Sequence, residues 1–131
     1  VLLIKAIARS WWLTNAELAN LLAIPTKILI PDLLKGPLSF KPNSDTAERL
    51  RIIYSIHACL AYIFLNPADE ARWIHQKLPI LANLSPLHYM LQFKLPGIFR
   101  LEAVVRDMTR TGEPASASLI KDRPLDPQPR D

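Results

Sequence analysis

The sequence predicts an all-α protein, with helix-turn-helix-like helices at the N-terminus, a small C-terminal helical domain and a flexible tail. Two observations carry this. Apolar residues recur at three- and four-residue intervals along most of the chain up to Arg110, and no stretch alternates apolar and polar residues long enough to build a sheet. Helix-start signals also stand in front of several of the periodic runs.

The elements follow in order. Leu2, Leu3, Ala6, Ile7 and Ser10 fall at helical spacing and predict a first helix. Thr14-Asn15-Ala16-Glu17 has the form of a capping box and opens a second helix through Leu18, Leu21 and Leu22. Pro25 ends it, and Pro31, Pro37 and Pro42 prevent a long helix in the next segment, leaving room only for a short one before Gly36. From about Ser44 a long helix begins, with Asp45 and Glu48 in its first turn and an expected apolar face of Leu50, Ile53, Tyr54, His57, Ala58, Ala61 and Phe64. Asn66-Pro67 and Ser85-Pro86 each pair a capping side chain with a proline at the first helical position, where the missing N–H costs nothing. A helix from Pro86 to Phe93, a break at Pro96-Gly97 and a last helix from Ile98 to Arg110, stopped by Gly112, complete the body. Domains are accordingly expected at 1–42, 43–112 and 113–131, the last a proline-rich disordered tail.

Composition narrows the function classes. Half of the 131 residues are apolar, enough for a real core. Lys5, Arg9, Arg49, Arg51 and Arg72 interrupt every apolar run before it reaches the ~20 residues that span a bilayer. Val1 to Ile4 precede Lys5, the reverse of a secretory signal's charge order, and the single Cys59 cannot form an internal disulfide. A cytoplasmic protein with a buried, inert thiol is expected. Net charge is +4, and residues 1–112 carry thirteen basic against eight acidic groups, which suits an anionic partner or simply a solvated helical surface.

Catalytic candidates are weak. His57, His75 and His88 lie on different elements without a partner at metal-ligand spacing, and the three glycines cannot build a phosphate loop. Asp69 and Glu70 are adjacent, on different faces of a helix, and read as first-turn charges rather than an acid/base pair. No enzyme, metal or cofactor is expected. Trp73 reads as an anchor of its helix on the long one. Trp11 and Trp12 cannot share a helix face, so one is expected to be partly exposed on the monomer, and a homodimer is expected, its interface the natural cover.

The second half carries a resemblance. The order is Asn66-Pro67-Ala68-Asp69-Glu70-Ala71-Arg72-Trp73-Ile74, an irregular proline-containing link, then Ser85-Pro86-Leu87-His88-Tyr89-Met90-Leu91. It resembles the toxin-binding domain of the Xre/MbcA/ParS antitoxins, in which a small residue and a Trp-Leu pair precede a loop and then Ser or Thr before Pro-Leu. Ile74 replaces the usual Leu, and Lys77 to Leu84 lacks the family's pair of glycines. Trp73, Ser85, Pro86 and Leu87 carry the match and are expected to be structural.

The resemblance implies an antitoxin of a bacterial toxin–antitoxin pair. Its partner would be a RES-domain toxin, a NAD-degrading or ADP-ribosylating enzyme whose cleft the C-terminal domain blocks. An inhibitory surface needs an apolar anchor and rim charges, which Leu95, Pro96, Gly97, Ile98, Phe99, Arg100, Arg106 and Arg110 offer. Ala16 to Pro25 also resembles the first helix and turn of an Xre-type helix-turn-helix, making a DNA-binding repressor the alternative. The following helix would read DNA, yet Pro31 costs about 3 kcal/mol if held helical, and only Thr26, Lys27 and Lys35 could meet phosphates or bases. Weak operator binding, or a packing role for this segment, is expected.

Overall fold

A computed structural model describes residues 2–25 and 44–112, with backbone alone at residues 2, 3 and 44. Among these residues the fold is all-α: helices α1 (Leu2–Ser10), α2 (Asn15–Leu22), α3 (Ser44–Ile63), α4 (Pro67–Ile74) and α5 (Pro86–Thr111), with one 3₁₀ turn, Pro79–Leu81. The expected short helix before Gly36 and the tail lie outside the described residues.

In α1 the inward stripe is Ile4, Ile7 and Trp11, each fully buried, whereas Ala6 faces out. The larger side chains take the inside because each removes more apolar surface from water. Both short helices stop in a two-bond left-handed cap. After α1, the N–H groups of Trp12 and Leu13 donate to Arg9 O (3.2 Å) and Ala8 O (2.9 Å). After α2, those of Ala23 and Ile24 donate to Asn20 O (3.2 Å) and Ala19 O (2.9 Å). The pivot residue of this motif is usually glycine. Here Trp12 (φ 57°) and Ala23 (φ 59°) occupy it.

The capping box of α2 forms as expected. Thr14 Oγ1 accepts from the Glu17 N–H at 3.0 Å, and the Thr14 N–H donates to Glu17 Oε1 at 2.9 Å. The far end of α2 is closed by α3. Thr46 Oγ1 donates to Leu22 O (3.0 Å), and the buried Arg49 guanidinium donates to Leu21 O (3.2 Å) and to Asp45 Oδ1 (3.1 Å). A cation at a helix C-terminus meets both the free carbonyls and the negative end of the dipole.

This clamp sets the rotation of α3. Its buried stripe is Thr46, Arg49, Ile52, Ile53, Ile56 and Leu60, with Leu50 and Tyr54 at the border. The expected face through Ala58 and Ala61 is corrected, since both are exposed. The helix is apolar on more than one side, and the bulky aliphatics outweigh the alanines in deciding which side is buried.

The second-half signals act where they stand. Asn66 Oδ1 accepts from the Ala68 N–H (2.9 Å), and Ser85 Oγ accepts from the His88 N–H (3.1 Å). Trp73 is buried and lies 6.3 Å from Phe64, centroid to centroid, at the end of α3. The link is a closed loop in which Leu78 N–H donates to Leu84 O (3.1 Å) while Leu78 and Leu81 are sealed in the core. It turns without glycine, through left-handed Ala82 (φ 58°) and Asn83 (φ 65°).

Helix α5 is two helices joined at Lys94, whose φ of 59° and ψ of −141° are non-helical. The break expected at Pro96-Gly97 is therefore corrected to Lys94. Pro96 sits in the first turn after it, where a missing N–H is harmless, and the last helix starts before Ile98. Gly97 is where the two halves press together: a Cβ there would lie 2.8 Å from Phe93 Cβ and 2.9 Å from Tyr89 O. Helix α5 packs chiefly on α3, and one apolar core runs from Ile4 through Ile56 and Trp73 to Met108.

Candidate functional site

Two features stand out once this frame is in place: a buried polar cluster where α1, α3 and α4 meet, and an exposed surface around the break in α5. The cluster centres on Glu70, only 2% exposed. Trp11 Nε1–H donates to Glu70 Oε2 at 2.6 Å, and His57 Nδ1 lies 2.8 Å from the same oxygen. A carboxylate oxygen that accepts from the Trp11 indole can also accept from a proton on His57 Nδ1, the geometry this contact offers. On the same residue, the Trp11 carbonyl is met at 2.8 Å by His75 Nε2, and because a carbonyl only accepts, that nitrogen donates.

The arrangement satisfies groups that burial would otherwise penalise. It fastens α1 to α3 and α4. Glu70 does stand in the first turn of α4, as read from the sequence; what that reading did not anticipate is that its carboxylate turns inward onto Trp11 and His57. The missed signal is local: on α4, Glu70 shares a face with Ala71, Trp73 and Ile74, so its carboxylate had to point inward and find partners. Asp69, one position earlier, instead pairs with Arg72 at the surface. Among the described residues no three His, Cys, Asp or Glu side chains are grouped to hold a metal ion, and no helix is long and apolar enough to cross a membrane. Cys59 is half-buried rather than buried, and the burial it has pushes its thiol up from the ordinary value.

The break in α5 builds the exposed surface. Phe93 just before it and Phe99 just after it are 42% and 43% exposed, large values for phenylalanine, and Tyr89 packs on Phe93 with ring centroids 4.7 Å apart. Lys94 reaches across to Asn20 Oδ1 at 3.3 Å. Comparison with protein-family models, with curated proteins and with solved structures finds no match to the chain. The chemistry of this surface itself therefore has to carry the functional reading.

The residues singled out from the sequence separate into groups here. Phe99 and Arg100 are exposed, and Arg100 forms no ion pair among the described residues. Pro96 is exposed and Leu95 half-buried beside them. Ile98 is fully buried and Gly97 is closed off by Phe93 and Tyr89, so these two shape the surface from beneath. Arg106 bonds Glu102 (3.1 Å) and Ser55 Oγ (3.3 Å), and Arg110 pairs with Asp107, so both belong to the flank of the helix. Trp73, Pro86 and Leu87 are core residues and Ser85 is a cap, as expected. Thr26, Lys27 and Lys35 lie outside the described residues.

Lys94 holds a backbone region that only glycine enters freely, at a cost of about 1–3 kcal/mol. Lys94→Gly is expected to raise the unfolding free energy by roughly 1 kcal/mol, less than the full strain because glycine gains freedom in the unfolded chain. Urea denaturation measures it; an unchanged or lower midpoint would mean the break is not strained.

Proposed function

We propose that the chain is the antitoxin of a bacterial type II toxin–antitoxin pair, neutralising a RES-domain toxin by laying the surface around the α5 break over the toxin's substrate cleft. The observation that supports this is the pair of exposed phenylalanines, Phe93 and Phe99, flanking the break with Arg100, which forms no ion pair among the described residues, beside them. Aromatic anchors with a charged neighbour are the composition from which protein interfaces draw most of their energy. Neutralisation of this kind needs no chemistry from the antitoxin: filling the cleft excludes the substrate. The rigid seat of Gly97 against Phe93 and Tyr89 supports the reading further, because a preformed surface loses less side-chain freedom on binding.

Arg100→Glu tests it. The side chain is solvated, so helicity and melting should not change. Toxin binding, measured by calorimetry with a RES-domain toxin encoded beside the gene, should weaken by about 2 kcal/mol or more as like charges come to face each other. Rescue of toxin-expressing cells by Arg100→Glu with undiminished affinity would place the inhibitory surface elsewhere.

A further inference from the structure

Among the described residues Tyr62 and Trp12 are further large aromatics at the surface, and the setting of Trp12 differs from that of an ordinary exposed side chain. It is 55% exposed and occupies the left-handed pivot of the α1 cap, φ 57°, a position that suits glycine and disfavours a bulky residue. One indole face is stacked on His75, with centroids 5.9 Å apart and rings 27° from parallel. His75 is itself fixed by its Nε2 contact to the Trp11 carbonyl. The result is a two-ring stack at the surface in which more than half of the Trp12 side chain stays exposed.

The two sequence stretches that supply its rings carry basic residues and no acidic ones. No acidic residue occurs between Val1 and Ala16 or between Ala71 and Leu101, and the two acid-free stretches meet at this stack. Arg9, whose carbonyl accepts the Trp12 N–H, and Lys77, two residues after His75, are exposed and form no ion pair among the described residues. Lys5 precedes Arg9 by one helical turn. Of the carboxylates on the flanking elements, Glu17 is turned onto the Thr14 N–H, Glu70 is buried under Trp11 and His57, and Asp69 pairs with Arg72.

We propose that the Trp12–His75 stack, with Arg9 and Lys77 beside it, is a binding platform for single-stranded nucleic acid, one base stacking on the outer indole face while the cations meet the phosphates. A flat open ring is matched by a base, and unpaired cations are matched by the phosphates one nucleotide away. An acidic peptide would use the cations and leave the platform's flatness without a purpose. A duplex hides the faces of its bases, so this site should prefer a single strand. The proposal concerns a face built by α1 and α4 and does not depend on toxin neutralisation.

The test uses the full chain and a fluorescently labelled oligothymidylate of about 15 nucleotides, a length within reach of one small domain. Anisotropy at low salt should show binding that weakens as salt rises. Trp12→Gly, which fits the left-handed backbone and should keep the helical content, is expected to lower affinity about 5- to 100-fold, the worth of one stacked base. Trp12→Phe should retain most of it. Arg9→Gln and Lys77→Gln should each reduce the log–log salt slope by about 0.7. The proposal is overturned if the oligonucleotide does not bind, if Trp12→Gly binds it as tightly, if a duplex is preferred, or if polyglutamate of equal charge competes equally well. It is also overturned if Trp12→Gly converts a dimer to a monomer in sedimentation, which would make a second copy the occupant.

Discussion

Trp11→Ala is expected to lower the unfolding free energy by roughly 3–5 kcal/mol, the usual range for emptying a buried tryptophan site. The indole is fully buried, so its removal opens a cavity among Ile4, Ile7 and the facing helices. It also takes from Glu70 the N–H donor at 2.6 Å, leaving a nearly inaccessible carboxylate with His57 as its named partner. Small domains have only about 5–15 kcal/mol in total, so the variant should be on the edge of unfolding at room temperature. Trp11→Phe separates the two contributions, since it keeps most of the volume and loses the donor; about 1–3 kcal/mol is expected. Urea titrations followed by circular dichroism measure both. A Trp11→Ala loss below about 1 kcal/mol would mean that α1 is not integral to the fold.

Trp73→Ala should cost a similar amount, roughly 3–5 kcal/mol, by a different route. Trp73 is 3% exposed and sits against Phe64, tying the end of α4 to the end of α3 just before the Leu78–Leu84 loop. Its loss should therefore loosen the loop, and with it the start of α5 at Ser85. Amide exchange at Leu78, Ala82 and Leu84, whose N–H groups are bonded within the loop, should accelerate more than exchange in α2. Any effect on a partner that docks at Phe99 should follow the unfolded fraction, in contrast to Arg100→Glu. A Trp73→Ala protein that keeps its stability would remove the structural reading of the tryptophan on which the antitoxin resemblance partly rests.

How far the fold was legible in the sequence depends on the range of the interaction involved. Capping was legible because it is local. Thr14 with Glu17, Asn66 with Pro67, Ser85 with Pro86 and Gly112 each satisfy or stop a helix using atoms within a few residues. The face of α3 was not, because more than one of its sides is apolar and the choice was made by Thr46 and Arg49 binding the carbonyls at the end of α2. The break in α5 was placed two residues late for a related reason. Pro96 and Gly97 look like helix breakers, yet proline fits a first turn and Gly97 is needed for close approach, so the strain falls on Lys94.

The candidate sites divide in the same way. The sequence singled out Phe99 and Arg100 as a pair offering an anchor and a charge, and the fold leaves both exposed. It grouped Ile98, Arg106 and Arg110 with them; packing buries Ile98, whereas Arg106 and Arg110 stay exposed and are ion-paired. That Trp11 and Trp12 part company was expected from helical geometry, but both lie past Ser10, where the left-handed Trp12 turns the chain. Which of them goes inside was decided by partners remote in sequence, Glu70 and His57 for the indole of Trp11 and His75 for that of Trp12. By itself the sequence determined the helical class and the positions of the caps, because those depend on period and on neighbours along the chain. The tertiary structure alone decided the buried Glu70 cluster, the rotation of α3 and the strained break at Lys94, because each depends on which helix face meets which, a choice made by contacts across tens of residues.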